Sequence, residues 1–349
     1  MRESQTGGHA VVGSGETAAQ RAVAGADGGV GPTVADLGER ALIDRLTAVA
    51  RRAVPSHPGH GDVVVVGPGD DAAVLDLAGS LVVSTDSLVQ DRHFRLEWST
   101  PEQIGARAAV QSCADIAAMG ARSVGIVVSI ACPPTTPAAV VLGIDQGMND
   151  IAAEFGARVV GGDLVAAAEM VVTVTVFGTT DGRAPVRLAG AAVGQTVAVS
   201  GPLGSSAAGL ALLDAGITDF AELVAAHRIP VVDLRQGPVA ADAGARAMTD
   251  VSDGLVDELE TMAAASGVAV EIDTATIPSH PLLRAAADAV GADPIGWQLG
   301  GGEDHQLLAT FDGPPPAGWT AIGAVVAPGD GPRVRVDGAP SGVRGWQSF

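Results

Sequence analysis

The sequence predicts a mixed α/β protein of α+β character, not a regular βαβ series, and three observations point there. Helical stripes such as Leu42, Leu46 and Val49 alternate irregularly with short apolar runs such as Leu81–Thr85 and Met170–Phe177. Glycine-and-acid segments punctuate these runs, beginning with Gly67-Pro68-Gly69-Asp70-Asp71. The 349 residues, 47% hydrophobic and 17% charged, suffice for two cores, and a boundary falls near Gly178–Arg187, where Gly, Asp, Pro and Arg interrupt the pattern. The expected division is a tail at 1–33, an N-terminal domain at 34–178 and a C-terminal domain at 179–349.

The elements follow in order. Residues 1–33 carry eight glycines and no sustained apolar face, so they read as a disordered tail. Thr33 and Asp36 form a capping pattern for a helix reaching about Ala53. His57 and His60 follow in a Pro-Gly loop, without a third ligand to make a metal site. Asp62–Val66, Ala72–Leu77 and Leu81–Thr85 read as short strands. Pro101 opens a helix to about Met119, on which Ala108, Ser112, Asp115 and Met119 share a face. Asp115 there is an acid on a small, apolar surface near a helix C-terminus, opposed to the helix dipole, and a cation would account for it. Ser123–Ala131 is a strand and Pro137–Phe155 a helix. Arg158–Val160 leads to a turn at Gly161-Gly162-Asp163 before the strand Met170–Phe177. In the second half, Thr196–Ser200 is a strand, and Gly201–Gly209 turns into a helix whose first amides suit an anion. Thr249–Leu255 opens a helix through Ala265. Val268–Ile272, Gln306–Thr310, Thr320–Val326 and Arg333–Val336 are strands, and Pro281–Val290 a helix.

Composition narrows the chemistry. The net charge of −20 argues against nucleic-acid or anionic-membrane partners, and phosphorylated ligands would need bridging cations. All 20 basic residues are Arg, which excludes Schiff-base and pyridoxal enzymes, P-loops and protein kinases. Tyr is absent too, so there is no Tyr acid. Cys113 and Cys132 are spaced neither for zinc nor for redox and read as inert core thiols. No apolar segment follows Met1 and none spans a bilayer, so a cytoplasmic location is expected.

Five acidic clusters fall at strand ends or helix starts: Asp70/Asp71, Asp86, Asp163, Asp250/Asp253 and Glu303/Asp304; Asp115 adds a sixth acid. Each alone also fits an ordinary Asx turn or N-cap. Together they would repel one another by several kcal/mol per contact at ~4 Å unless cations intervene. Oxygen ligands without paired His or Cys favour Mg²⁺ or Ca²⁺, and carboxylate-held Mg²⁺ typically serves phosphoryl transfer.

Six motifs appear in order: Asp70-Asp71-Ala72-Ala73; Ser84-Thr85-Asp86-Ser87-Leu88-Val89 with His93-Phe94; Asp115–Ala121; Gly161-Gly162-Asp163; Asp250-Val251-Ser252-Asp253-Gly254-Leu255; and Gly301-Gly302-Glu303-Asp304. From about residue 34 onward the chain resembles the thiamine-phosphate kinase family, within the aminoimidazole ribonucleotide synthetase-like superfamily. The resemblance implies a two-domain fold, a homodimer through N-terminal-domain strands, and ATP-dependent phosphorylation of thiamine monophosphate by direct transfer. It implies that Asp71, Ser84, Thr85, Asp86, Asp115, Asp163, Asp250 and Asp253 ligate Mg²⁺, with Asp86, Asp115 and Asp253 central to catalysis. Gly162, Asp163, Arg187 and Ser252 would bind ATP, and His93, Glu303 and Trp346 the thiamine substrate.

Departures from the family pattern fall at Ser112, Ala114, His305, Gln306 and the segment His227–Pro230, and they bear on substrate recognition more than on the metal carboxylates. Within the superfamily, the reactive Cys of a selenophosphate synthetase and the terminal Cys of a hydrogenase-maturation protein are missing. The Asp-Gly-Val-Gly-Thr segment of the purine synthetase is replaced by Thr85–Val89. A non-catalytic nucleotide- or cation-binding protein is the alternative of a different class.

Overall fold

The computed structural model describes residues 31–52, 63–69 and 71–345. His57, His60, Asp70, Trp346 and the tail through residue 30 lie outside the described residues. Pro32 and Thr33 belong to the folded body: the Pro32 carbonyl accepts from the Ala138 amide at 2.9 Å, and Thr33 caps the first helix in a reciprocal box with Asp36.

The elements are α1 (Val34–Leu37), α2 (Glu39–Arg52), β1 (Val64–Val66), β2 (Val74–Leu75), β3 (Leu81–Val89), α3 (Pro101–Ala118), β4 (Arg122–Cys132), α4 (Ala138–Glu154), β5 (Arg158–Ala166) and β6 (Val171–Thr179). Then come β7 (Thr196–Val199), α5 (Ser205–Asp214), α6 (Ala221–Arg228), α7 (Gln236–Asp242), β8 (Ala247–Asp250), α8 (Leu255–Ser266), β9 (Ala269–Ile272), α9 (Leu283–Val290), α10 (Pro294–Gly300), β10 (Leu307–Phe311), β11 (Thr320–Val326), β12 (Val334–Val336) and β13 (Ala339–Pro340). The mixed α/β expectation holds.

A four-stranded sheet, ordered β3-β6-β4-β5, comes wholly from residues 81–179; its pairs are antiparallel except β4 with β5. A seven-stranded sheet, β13-β12-β9-β11-β7-β10-β8, comes from residues 196–340. Helix α3 lies between them. Fifteen of its residues are buried, in keeping with the small, apolar residues Ala106, Ala108, Ala109 and Val110 of a helix covered on every side. Its neighbours come from both halves: buried Ile116 and Ala117 share one core with Val174 and Val176 of β6 and with Met248, Leu307 and Ala309 of the larger sheet. Gly105 lets α4 approach closely, since a Cβ there would stand 1.8 Å from the Ile144 carbonyl oxygen.

Several expectations need correction. Gly38, at φ 76°, splits the first helix in two, because a left-handed residue cannot continue it. The strand expected at Leu81–Thr85 does not end there and the turn expected at Gly161-Gly162-Asp163 does not exist: β3 continues to Val89 and β5 to Ala166, since ladder pairing along one side, with β6 and with β4, overrides local turn preference. Helices α6, α7 and α10 carry weaker signals; α7 holds Gly237 and Pro238, whereas α10 shows Asp293 as its cap and Pro294 at its first turn. Cys113 and Cys132 are buried and free, and burial pushes the Cys113 thiol up to about 12. No helix among the described residues is long and apolar enough to cross a membrane.

Candidate active site

Strand alternation sorts the β3 motif. Ser84 and Asp86 point toward α3, while Thr85 points to the opposite face, where its hydroxyl meets the Val174 carbonyl and the Thr175 hydroxyl at 3.1 Å. Facing Ser84 and Asp86, α3 presents Gln111 and Asp115, one turn apart. Ser84 Oγ donates to Asp115 Oδ2 at 2.5 Å, and Gln111 Nε2 donates to Asp86 Oδ2. Burial, then the nearby charge of Asp250, push the Asp115 carboxyl up to about 6.

The second half of the site comes from two loops laced together by backbone hydrogen bonds. Glu303 N donates to Ser252 O (2.7 Å), His305 N to Val251 O (2.9 Å) and Val251 N to Gln306 O (2.8 Å), extending the β8–β10 ladder past its last paired residues. The glycines of this loop permit the close approach; a Cβ on Gly302 would sit 2.5 Å from the Ser252 carbonyl oxygen. Glu303 and His305 adopt positive φ, 67° and 52°. His305 Nδ1 thereby reaches Asp250 Oδ2 at 2.9 Å, with Nε2 3.5 Å from Glu303 Oε2. Burial favours neutral imidazole, but the flanking Asp250 and Glu303 outweigh it and raise His305 to about 10. Arg107, at 5% side-chain exposure, closes the network, with Nη2 on Glu303 Oε2 at 2.7 Å and Nη1 on the His227 carbonyl at 2.8 Å. Against the burial that opposes ionisation, Arg107 and His305 hold the Glu303 carboxyl well below the usual range. Glu258 accepts from Ser252 Oγ at 3.1 Å and from the Asp253 amide at 3.3 Å; burial, then Asp250, raise it to about 7.

Other expected residues fall elsewhere. Asp163 sits on the outer sheet face in the row Ser87–Thr173–Ser129–Asp163, its Oδ1 accepting from Leu164 N. With Asp71 and Gly162 it lines a cavity of about 910 Å³. Arg187 is exposed, its carbonyl accepting from Met248 N at 3.0 Å. His93 is half-buried beyond the end of β3, its Nδ1 accepting from Val89 N at 3.0 Å, which fixes a neutral ring as the Nε2–H tautomer. Asp304 is not part of the acid cluster. Its carboxylate caps α5, accepting from Gly204 N (2.6 Å) and Ser206 N (2.9 Å), so the anion at those amides is the protein's own. Gln306 is structural as well, holding Val231 O and Ser200 Oγ. Arg107, Gln111 and Glu258 were missed by sequence reasoning. The i, i+4, i+8 polar stripe Arg107-Gln111-Asp115 on an otherwise small, apolar helix was the available signal for the first two.

As placed, no three Asp, Glu, His or Cys side chains among the described residues converge as a preformed metal cage. The donor chemistry nonetheless fits a hard divalent cation: Ser84, Asp86 and Asp115 supply oxygen only and lack a cationic side chain bonded to them.

The AIR synthase related protein models match this chain at residues 69–180, for the N-terminal domain, and 192–292, for the C-terminal domain. The chain is 51% identical to a thiamine-monophosphate kinase of Mycobacterium tuberculosis over 322 residues, 91% of this chain and 93% of the relative. The chain belongs to the thiamine-monophosphate kinase family. A Corynebacterium glutamicum thiamine-monophosphate kinase is 44% identical, covering 91% of this chain and 96% of the relative. Among solved structures, AaThiL complexed with AMPPCP and TMP superposes with a TM-score of 0.72 at 29% identity, covering 90% of this chain and 97% of that one. The thiamine monophosphate kinase of Aquifex aeolicus gives 0.69 at 30% identity, covering 75% and 89%. Membership bears out the motif resemblance, and the chain is a kinase.

Proposed function

We propose that the chain transfers the γ-phosphoryl group of ATP to thiamine monophosphate, forming thiamine diphosphate by direct in-line displacement. The observation that carries this reading is the meeting of Ser84, Asp86 and Asp115 from the first half with Asp250, Glu303 and His305 from the second. The AMPPCP and TMP complex of a 29%-identical relative supports the substrate pair. Asp71, Ser84, Thr85, Asp86, Asp115, Asp163, Asp250 and Asp253 would hold several Mg²⁺ ions, which neutralise phosphate charge when bound. Ser252, Gly162 and Arg187 would position ATP, while His93, Glu303 and Trp346 would hold the thiamine substrate. A phosphate monoester is already anionic near neutral pH, so the acceptor needs no strong base.

The outer face of the four-stranded sheet, with Val83 at 51% exposure beside Thr85 and Ser87, would form a homodimer. The working division remains a boundary near residues 178–187. Mass spectrometry of a reaction with ATP, Mg²⁺ and thiamine monophosphate tests the assignment: thiamine diphosphate is expected, and its absence overturns the kinase reading.

A further inference from the structure

The segment Val343–Gly345 carries no regular structure, yet it packs closely on both loops of the site's second half. Val343 lies against the core of the larger sheet. A Cβ on Gly300 would stand 2.5 Å from Val343 Cγ1 and 2.8 Å from the Arg344 carbonyl oxygen, and a Cβ on Gly345 would overlap the Asp253 carbonyl. The two glycines therefore admit the segment where a side chain would exclude it. One carboxylate ties it down. Asp257, in the first turn of α8, accepts from the Gly345 amide at 3.1 Å through Oδ2. Its Oδ1 is buried and has no hydrogen-bond partner, so the side chain's bonding among the described residues is spent on Gly345. An acid in the first turn of a helix is ordinarily explained by the helix dipole. Asp257 instead bonds an amide 88 residues further along the chain.

We propose that Asp257 is a positioning residue for the acceptor substrate: by holding the Gly345 amide it fixes the C-terminal end of the chain for binding of thiamine monophosphate. This rests on the reading above, in which Glu303 and Trp346 hold the thiamine substrate, and deepens it by naming what holds them in place. Both residues leave directly from the fastened contact. Trp346 follows Gly345, and Glu303 stands three residues after Gly300, which the same segment covers. Releasing the segment is therefore felt by the acceptor more than by ATP, two of whose expected contacts, Gly162 and Arg187, lie on β5 and ahead of β7. A carboxylate accepting from a backbone amide makes a charge-assisted bond, stronger than a neutral one and suited to fixing a segment that has no ladder of its own.

Equilibrium binding of thiamine monophosphate and of ATP to the full chain, each with Mg²⁺, tests this. Asp257→Ala is expected to weaken thiamine monophosphate about 10-fold, the scale of one hydrogen bond to a charged group, and ATP by less than about 2-fold. The two KM values should divide the same way, with kcat changed less. Asp257→Asn keeps the acceptor and loses the charge, so it should restore most of the affinity; a helix-dipole role would give no such rescue. In a Trp346→Ala background, Asp257→Ala should add little, because the two residues act through one contact. In the wild-type protein, hydrogen exchange of the C-terminal peptide should slow with thiamine monophosphate and not with ATP, a measurement that stands even if the Ala variant fails to fold. The proposal is overturned by a folded Asp257→Ala variant that binds thiamine monophosphate as the wild type does or loses both ligands equally, and by exchange that ignores thiamine monophosphate. Asp257-dependent binding by a protein that forms no thiamine diphosphate would refute the kinase reading and leave Asp257 in this role.

Discussion

The two halves of the site handle negative charge in opposite ways. Around Glu303 and Asp250 the protein supplies its own cations: Arg107 on Glu303 at 2.7 Å, and His305 between Asp250 and Glu303. Around Ser84, Asp86 and Asp115 the bonded partners are a hydroxyl, an amide side chain and backbone N–H, none of them charged. The Asp250–Glu303 half is self-compensated and serves as a fixed wall. The Ser84–Asp86–Asp115 half is left short of positive charge, the condition under which a bound divalent cation gains most. The difference teaches where the cation requirement is concentrated.

That contrast can be broken by substitution. The largest effect on turnover is expected from Asp86→Asn, which removes charge from the uncompensated half. Steady-state kinetics should show kcat/KM falling on the order of 10²–10³-fold with the melting temperature kept; near-normal turnover would remove Asp86 from the machinery. The largest effect on stability is expected in the compensated half. Arg107→Met strands the Glu303 carboxylate and the His227 carbonyl, and denaturant unfolding should show a loss of about 3 kcal/mol, typical of breaking a buried pair. An unchanged midpoint would mean that His305 alone compensates Glu303. The smallest effect is a gain. In EDTA, Asp115→Asn removes a buried carboxyl crowded by Asp250 and Asp86, and scanning calorimetry should show a rise of about 2 °C for each kcal/mol of relieved repulsion. Added Mg²⁺ should then stabilise the wild type more than the variant. An equal response of the two proteins would place the cation elsewhere.

Much of the site was legible in the linear chain because acids in glycine segments are locally recognisable. Asp250 and Glu303 stand in or beside such segments, Asp86 follows an apolar run and Asp115 is an acid on a small, apolar helix face, and the order of the motifs points to the family. The role of each acid was less legible. Asp304 carries the same local signature as Glu303 yet caps α5, a contact made across a hundred residues of sequence. His305 stood out only as a departure from the family pattern; its positive φ and its place between two carboxylates depend on the pairing of the Glu303–Gln306 segment with Val251 and Ser252. Arg107 was passed over because a lone Arg on an Ala-rich helix reads as a solvated residue until the second domain covers it.

By itself the sequence determined the alternation of elements, the acid inventory, the complete reliance on Arg for positive charge and the family, since these depend on residue identity and short-range spacing. Only the tertiary structure decided that Ser84-Thr85-Asp86 and Gly161-Gly162-Asp163 are strand interiors. Both segments lie in edge strands, and each is held extended by the ladder along its one paired side, β3 to β6 and β5 to β4. With that pairing, the two-residue period of a strand sends Ser84 and Asp86 toward α3 and Thr85 away from it. The same step left the acids of one half with protein cations and the acids of the other without them.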